Sequence, residues 1–314
     1  MIKIKNKILE RVAISVIFIS IFLPSFFATY FWNLPGRIYG YTTFALIGSF
    51  AIYEVNNAII KNKFISIFFA LITILSLSLI SYNEIEPIFL FGRDGDDMIG
   101  LSQRFFGGSH RYWKLLYSFG IILFLTFSFI IMNYKEFVIE GKFQIKKAII
   151  TFITYFITPL FIKTIFIINL YSICFLFFVL CIPIIADTTA YFGGMLLGDK
   201  VLAKYKFAPK LSPKKTYAGF IIGLIFTFAY AFGIGIAIGF WQSVHPTFYI
   251  LIGATISLSL SFLSPMGDLM FSWFKRTLKI KDFSKILLSH GGIYDRVDAM
   301  SVVFATFGLI LFFI

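Results

Sequence analysis

Long apolar runs make up most of the chain, separated by short polar stretches. A helix crosses a bilayer with about 20 mostly apolar residues. Nine runs come near that length: 12–32, 41–60, 64–82, 115–133, 147–163, 165–186, 217–241, 247–264 and 299–314. The fifth and sixth are one continuous run interrupted by Pro159 and Lys163, which leaves a tilted or re-entrant segment open there. The pattern predicts an all-α polytopic membrane protein with about nine transmembrane helices. No internal repeat and no low-complexity linker interrupts it.

Composition agrees. Of 314 residues, 59% are hydrophobic and 14% charged, whereas a soluble domain is about 45–50% apolar and about a quarter charged. The 43 phenylalanines exceed an aromatic belt and are read as lipid-facing or packing residues. Cys174 and Cys181 lie inside one apolar run without a neighbouring histidine or acid, as inert thiols do. A net charge of +13 would suggest nucleic acid in a soluble protein. Here the basic residues flank apolar runs and the aqueous loops are too short for a nucleic-acid domain, so membrane lipid head groups are the expected partners.

The same charges orient the chain. Lysines and arginines favour the cytoplasmic side. Lys3, Lys5, Lys7 and Arg11 precede the first run, which is long for a signal-peptide core and is expected to be a retained anchor. Lys61 and Lys63, the group from Lys135 to Lys147, six lysines between 200 and 215, and six basic residues between 275 and 296 fall in alternate loops. The opposite side receives 33–40, the acid-leaning 83–114, and 242–246. The N-terminus is therefore expected in the cytoplasm and the C-terminus outside, in the cell membrane. Residues 1–140 are expected to form an N-terminal membrane region of about four helices, and 141–314 a C-terminal membrane region that holds the two longest polar stretches.

Polar chemistry gathers in two stretches expected to be cytoplasmic loops, 187–216 and 265–298. The second holds Asp268, Ser272, Lys275, Arg276, Lys281, Asp282, then His290-Gly291-Gly292 and Asp295-Arg296-Val297-Asp298. If 265–276 is helical, Asp268 and Ser272 share a face, and Asp295 and Asp298 share another. Three carboxylates from two helix ends can converge on a hard divalent ion such as Mg²⁺, which accepts carboxylate, water and phosphate oxygens. Lys275, Arg276, Lys281 and Arg296 supply charge for phosphate. Blander roles compete: capping for Asp295 and Asp298, a flanking positive pair for Lys275-Arg276, a solvated loop for His290. The first stretch holds Asp187, readable as a helix-end acid, and Ser212-Pro213-Lys214-Lys215-Thr216, readable as a basic helix start or an anion site. Arg93-Asp94-Gly95-Asp96-Asp97 reads as a solvated turn. Within the apolar runs Glu54 and Lys163 stand out as charged. Glu54 is either a structural hydrogen-bonding group or part of an ion pathway.

These residues resemble the signature of the phosphatidate cytidylyltransferases, the CDP-diacylglycerol synthases. Ser272, Lys275, Arg276, Lys281, Asp282, Ser284, His290, Gly291, Gly292, Asp295, Arg296 and Asp298 fall in its register. Ala186-Asp187-Thr188 and Ser212 to Thr216 match two further stretches. The sequence departs from the family's usual residues at Leu288, Ala218 and Thr189. The resemblance covers about 187–298 and implies transfer of CMP from CTP to phosphatidate, giving CDP-diacylglycerol and pyrophosphate for phospholipid biosynthesis.

On that reading Asp268, Asp295 and Asp298, with Asp187 as a fourth, bind Mg²⁺. Lys214, Lys215, Lys275, Arg276 and Arg296 neutralise phosphate. Gly291 and Gly292 let backbone N–H groups approach it. Ser212, Thr216 and Ser272 donate hydrogen bonds, and Lys281, Asp282 and His290 line the substrate site. A second, monovalent cation and a homodimer stay open. So do a prenyl-ether lipid phosphate as acceptor, a multi-pass transporter, and a catalytically inactive relative.

Overall fold

The computed structural model describes residues 2–78, 111–197, 206–287 and 291–313. The turn at Arg93–Asp97, and also Leu288 and His290, lie outside the described residues. The long helices are α1 (Ile2–Phe31), α2 (Asn33–Ile60), α3 (Lys63–Ser78), α4 (Arg111–Met132), α5 (Ile145–Tyr171), α6 (Ile173–Leu196), α7 (Tyr217–Ala229), α8 (Tyr249–Thr277) and α9 (Tyr294–Phe313). A π-helical turn, Tyr230–Ile234, carries α7 on to Ala237. Among the described residues, two small antiparallel hairpins interrupt the helices: β1 (Val138–Ile139) with β2 (Lys142–Phe143), and β3 (Lys206–Ala208) with β4 (Ser212–Thr216). Among the described residues, six helical segments are long and apolar enough to cross a membrane: Asn33–Ile60, Ile145–Tyr171, Ile173–Leu196, Tyr217–Ala237, Tyr249–Thr277 and Tyr294–Phe313. Ile19–Phe31, Lys63–Ser76 and Leu116–Met132 are shorter apolar helices. Helices suit such a chain because they satisfy every backbone group internally where no water is present.

Several boundaries differ from the sequence expectation. The run 147–186 divides at Ser172, not at Pro159 or Lys163. Pro159 sits inside α5, as Pro183 does inside α6 and Pro265 inside α8. Packed neighbours re-satisfy the backbone around a proline in an apolar helix, so proline need not end one. The Ser172 hydroxyl instead caps α6 by accepting from Phe175 N. Both halves of the run are thus long helices. Residues 33–40 are not a loop: α2 begins at Asn33, directly after Trp32. The two stretches expected to be loops are also partly helical, because α6 extends to Leu196 and α8 to Thr277. Asp187 is therefore inside a helix rather than at its end.

α5 is the most enclosed element and packs against α2, α4, α6 and α9. Around it Phe129, Tyr155, Phe166, Phe304 and Phe307 are fully buried. Outward faces of α1, α3 and α4 expose large apolar side chains such as Phe31, Phe64, Phe124 and Phe127, the surface a lipid phase would cover. α6 and α7 lie against each other along a seam of small residues: Ala186, Ala190 and Gly194 on one side, Gly219 and Gly223 on the other. Four-residue spacing puts each set on one helix face, and small side chains let backbones approach closely. A Cβ added at Gly219 would stand 2.5 Å from the Ala190 carbonyl oxygen. This seam fixes Asp187, on α6, relative to the β3–β4 hairpin that leads into α7.

Gly219→Val is expected to destabilise the protein by about 1–3 kcal/mol, the usual cost of overpacking. Thermal unfolding in detergent reads it as a lowered midpoint; an unchanged midpoint would show that the seam tolerates separation.

Candidate active site

Helices α6, α8 and α9 and one hairpin bring the charged residues together. α8 continues through Pro265, so Asp268, Ser272 and Lys275 fall at i, i+4 and i+7 on one face. After Thr277 the chain reverses at Lys279, whose φ of 57° is left-handed. The turn closes with Ile280 N donating to Lys275 O at 2.9 Å. α9 then starts at Tyr294 and presents Asp295 and Asp298 one turn apart. β4 delivers Lys215 from the side, immediately before Thr216 caps α7 by accepting from Gly219 N at 3.2 Å.

Lysines stand between the carboxylates. Lys215 Nζ pairs with Asp268 Oδ2. Lys275 Nζ lies 3.0 Å from Asp295 Oδ1 and 3.7 Å from Asp298 Oδ2, and 5.7 Å over the Phe283 ring. The Lys275 group is the more enclosed, with side chains 13%, 6% and 15% exposed for Lys275, Asp295 and Asp298. Lys215 and Asp268 are 27% and 29% exposed, so they form the open end. Asp187 is within electrostatic reach of Asp268 and Lys215, and Asp298 within reach of Lys275, Asp268 and Asp187.

The carboxylate of Asp295 is heavily engaged. Its Oδ2 accepts from Gly292 N and Phe283 N, each at 2.9 Å, and its Oδ1 accepts from Lys275. The bond to Gly292, three residues back, satisfies a backbone N–H just ahead of α9. Gly291 has φ +80°, the left-handed region that glycine occupies without strain. Gly292 has another reason to be glycine: a Cβ there would meet Glu54 Oε2 at 2.5 Å. The Gly292 N–H is given to Asp295, so the double glycine has a structural use before any ligand is considered.

Glu54 belongs to the same arrangement, although the sequence left its role open and did not place it in the site. From α2 it accepts from Ser284 Oγ at 2.6 Å, Ile293 N at 2.9 Å and Tyr294 N at 2.9 Å. One charge inside an apolar run was the available signal. Beneath these bonds Phe271, Phe283 and Tyr294 pack ring to ring, and the Tyr294 hydroxyl shares a 2.8 Å hydrogen bond with Thr158 on α5.

The remaining expected residues lie on the same elements or in the loop between α8 and α9. Arg276 is exposed and donates to Ile280 O at 3.4 Å. Arg296 is exposed on the first turn of α9, and Lys281 and Asp282 are exposed in the loop before it. Ser272 is partly buried on α8. Ser212 opens β4 opposite Ala208. Lys214 lies in the same strand, with its side chain outside the described residues. Of the departures from the family pattern, Thr189 turns its hydroxyl back onto Ile185 O at 2.6 Å and Ala218 is buried.

Among the described residues no group of three or more carboxylate, histidine or cysteine side chains is set to hold a metal ion alone. The donor chemistry still fits Mg²⁺, because Asp187, Asp268 and Asp298 offer hard oxygens in one electrostatic neighbourhood. Mg²⁺ is usually bound by one or two carboxylates, with water and substrate phosphate completing its shell. The residues fit an ion shared with a phosphate ligand rather than an all-protein cage.

Residues 66–314 match the model of the cytidylyltransferase family. The chain belongs to that family. Two curated proteins that the chain is similar to are named phosphatidate cytidylyltransferase. The Staphylococcus aureus protein is 36% identical over 127 residues, 40% of this chain and 45% of the relative. The Haemophilus influenzae protein is 37% identical over 135 residues, 41% of this chain and 42% of the relative. The matched stretch thus spans under half the length of each. Family membership places the carboxylate–lysine cluster within the matched residues and Glu54 outside them.

Lys275→Met is expected to destabilise the fold by on the order of 3 kcal/mol, since it leaves enclosed carboxylates without their cation. Adding Asp298→Asn should recover part of the loss. Thermal unfolding of both variants checks this, and a Lys275→Met midpoint equal to wild type contradicts it.

Proposed function

We propose that the protein transfers CMP from CTP to phosphatidate, releasing pyrophosphate and forming CDP-diacylglycerol. The observation that carries this reading is the alternating cluster of Lys215, Asp268, Asp298, Lys275 and Asp295 at the ends of apolar helices, in a chain of the cytidylyltransferase family. The names of the matched relatives point to the same substrates.

A phosphate oxygen of phosphatidate attacks the α-phosphorus of CTP, and the bond from that phosphorus to the β-phosphate oxygen breaks. The nucleophile is already an anion, so no strong general base is required. The barrier lies in bringing two polyanions together, and electrostatic stabilisation is the main contribution a site can make. Lys215, Lys275, Arg276 and Arg296, with Lys214, neutralise the triphosphate and the lipid phosphate. Ser212, Thr216, Ser272, Lys281, Asp282 and His290 border the substrates. A divalent ion, which this family generally uses, would be held as Mg²⁺ by Asp187, Asp268 and Asp298 and would offset charge on the phosphates and leaving group. Asp295, whose oxygens accept three protein hydrogen bonds, serves in this reading to place Lys275 and the loop.

The Lys/Arg pattern supports nine spans, the N-terminus in the cytoplasm and the C-terminus outside, with the site facing the cytoplasm where CTP is available. The shorter apolar helices supply the three spans beyond the six long ones. The protein is then a multi-pass enzyme of the cell membrane. Its residues 141–314 carry the chemistry and 1–140 the supporting helices.

Purified protein with phosphatidate, CTP and Mg²⁺ should release pyrophosphate and form CDP-diacylglycerol, and chelation should stop both. Asp268→Asn and Asp298→Asn are each expected to lower turnover about 10²-fold or more, the scale of losing one transition-state charge contact. Absence of lipid-dependent pyrophosphate release from well-folded wild type, or near-normal turnover in both variants, overturns the reading.

A further inference from the structure

α9 begins with backbone N–H groups that no helical carbonyl can accept, as every helix does. Two of them, Ile293 N and Tyr294 N, go to one carboxylate from a distant helix, Glu54 of α2. The same carboxylate takes the Ser284 hydroxyl from the loop that precedes α9. Its negative charge also sits at the end of α9 where the helix dipole favours an anion. Glu54 is 1% exposed, and the position facing it is Gly292, where no side chain fits.

We propose that Glu54 is a positioning residue for the reaction: it fixes the start of α9, and through it the placement of Arg296 and Asp298 against Lys275. The route is short. Tyr294 and Asp298 are four residues apart on α9, so the anchor at Tyr294 N sets the turn on which Asp298 stands. Ser284 lies two residues after Asp282 and Ile293 two residues after Gly291, so a single carboxylate holds the chain at both places. This function rests on the cytidylyl-transfer reading for its activity readout, while the clamp itself does not. Glu54 lies outside the residues matched by the family model, which begin at residue 66.

Glu54→Gln keeps the size but replaces one accepting oxygen with a donor, so one of the two helix N–H groups loses its acceptor. In the purified full chain, kcat should fall about tenfold or more, as small misplacements of reacting groups do. The KM for phosphatidate should stay near wild type, and the Mg²⁺ concentration giving half-maximal turnover should rise. Hydrogen exchange of the segment 283–296 should speed up relative to that of α5. Gly292→Ala should mimic these effects, yet add little in a Glu54→Ala background, because removing the carboxylate vacates the space. Unchanged kcat and exchange in Glu54→Gln, or fully additive effects of Glu54→Ala and Gly292→Ala, overturn the proposal. If wild type shows no CTP turnover, the functional reading fails on its own. The exchange rates and the double-mutant cycle, followed by thermal unfolding, then still decide for or against the clamp.

Discussion

The start of a helix near the edge of an apolar phase exposes N–H groups that must find acceptors, and the site is built on how α9 meets that constraint. One acceptor is local: Asp295 reaches back to Gly292 and across to Phe283. The other, Glu54, comes from the opposite end of the sequence. Between them they account for the double glycine, for the buried Phe283, and for the direction in which Asp298 faces Lys275. Two negative charges at one helix end also require a nearby cation, and Lys275 meets Asp295 there.

Much of this was legible in the residues. The apolar runs gave the helical class and most helix positions. The register of Lys275, Asp295 and Asp298 marked the stretch that the structure brings together. What escaped notice did so for physical reasons. Pro159 and Lys163 read as the interruption of one apolar run, but packed apolar helices absorb proline, and Ser172 makes the real boundary by capping. Asp187 looked like the end of an apolar run, although a helix does not stop where its side chains turn polar. Asp295 looked like a free ligand because spacing shows which face a carboxylate takes, not what else donates to it. The partner of Glu54 was invisible in a single sequence, since a contact across 240 positions leaves no local pattern.

The lysines give the site a particular electrostatic form. Neither Lys215 nor Lys275 stands apart as a free cation; each sits against a carboxylate. Each lysine offsets part of the carboxylate charge, so enclosing the cluster carries less of the desolvation cost that isolated ions would meet. The α6–α7 seam adds rigidity. It holds Asp187 near the β3–β4 hairpin that carries Lys215 through backbone proximity, without relying on a flexible side chain.

The clamp by Glu54 also bears on the order in which the protein can be assembled. α2 emerges early in synthesis, but Ser284, Ile293 and Tyr294 follow 230 to 240 positions later. Through that interval a carboxylate destined for an enclosed position has to be accommodated by water or by temporary neighbours. Only docking of α9 removes that liability. Burial of this carboxylate and completion of the site are therefore one event, and a chain arrested before α9 would lack both.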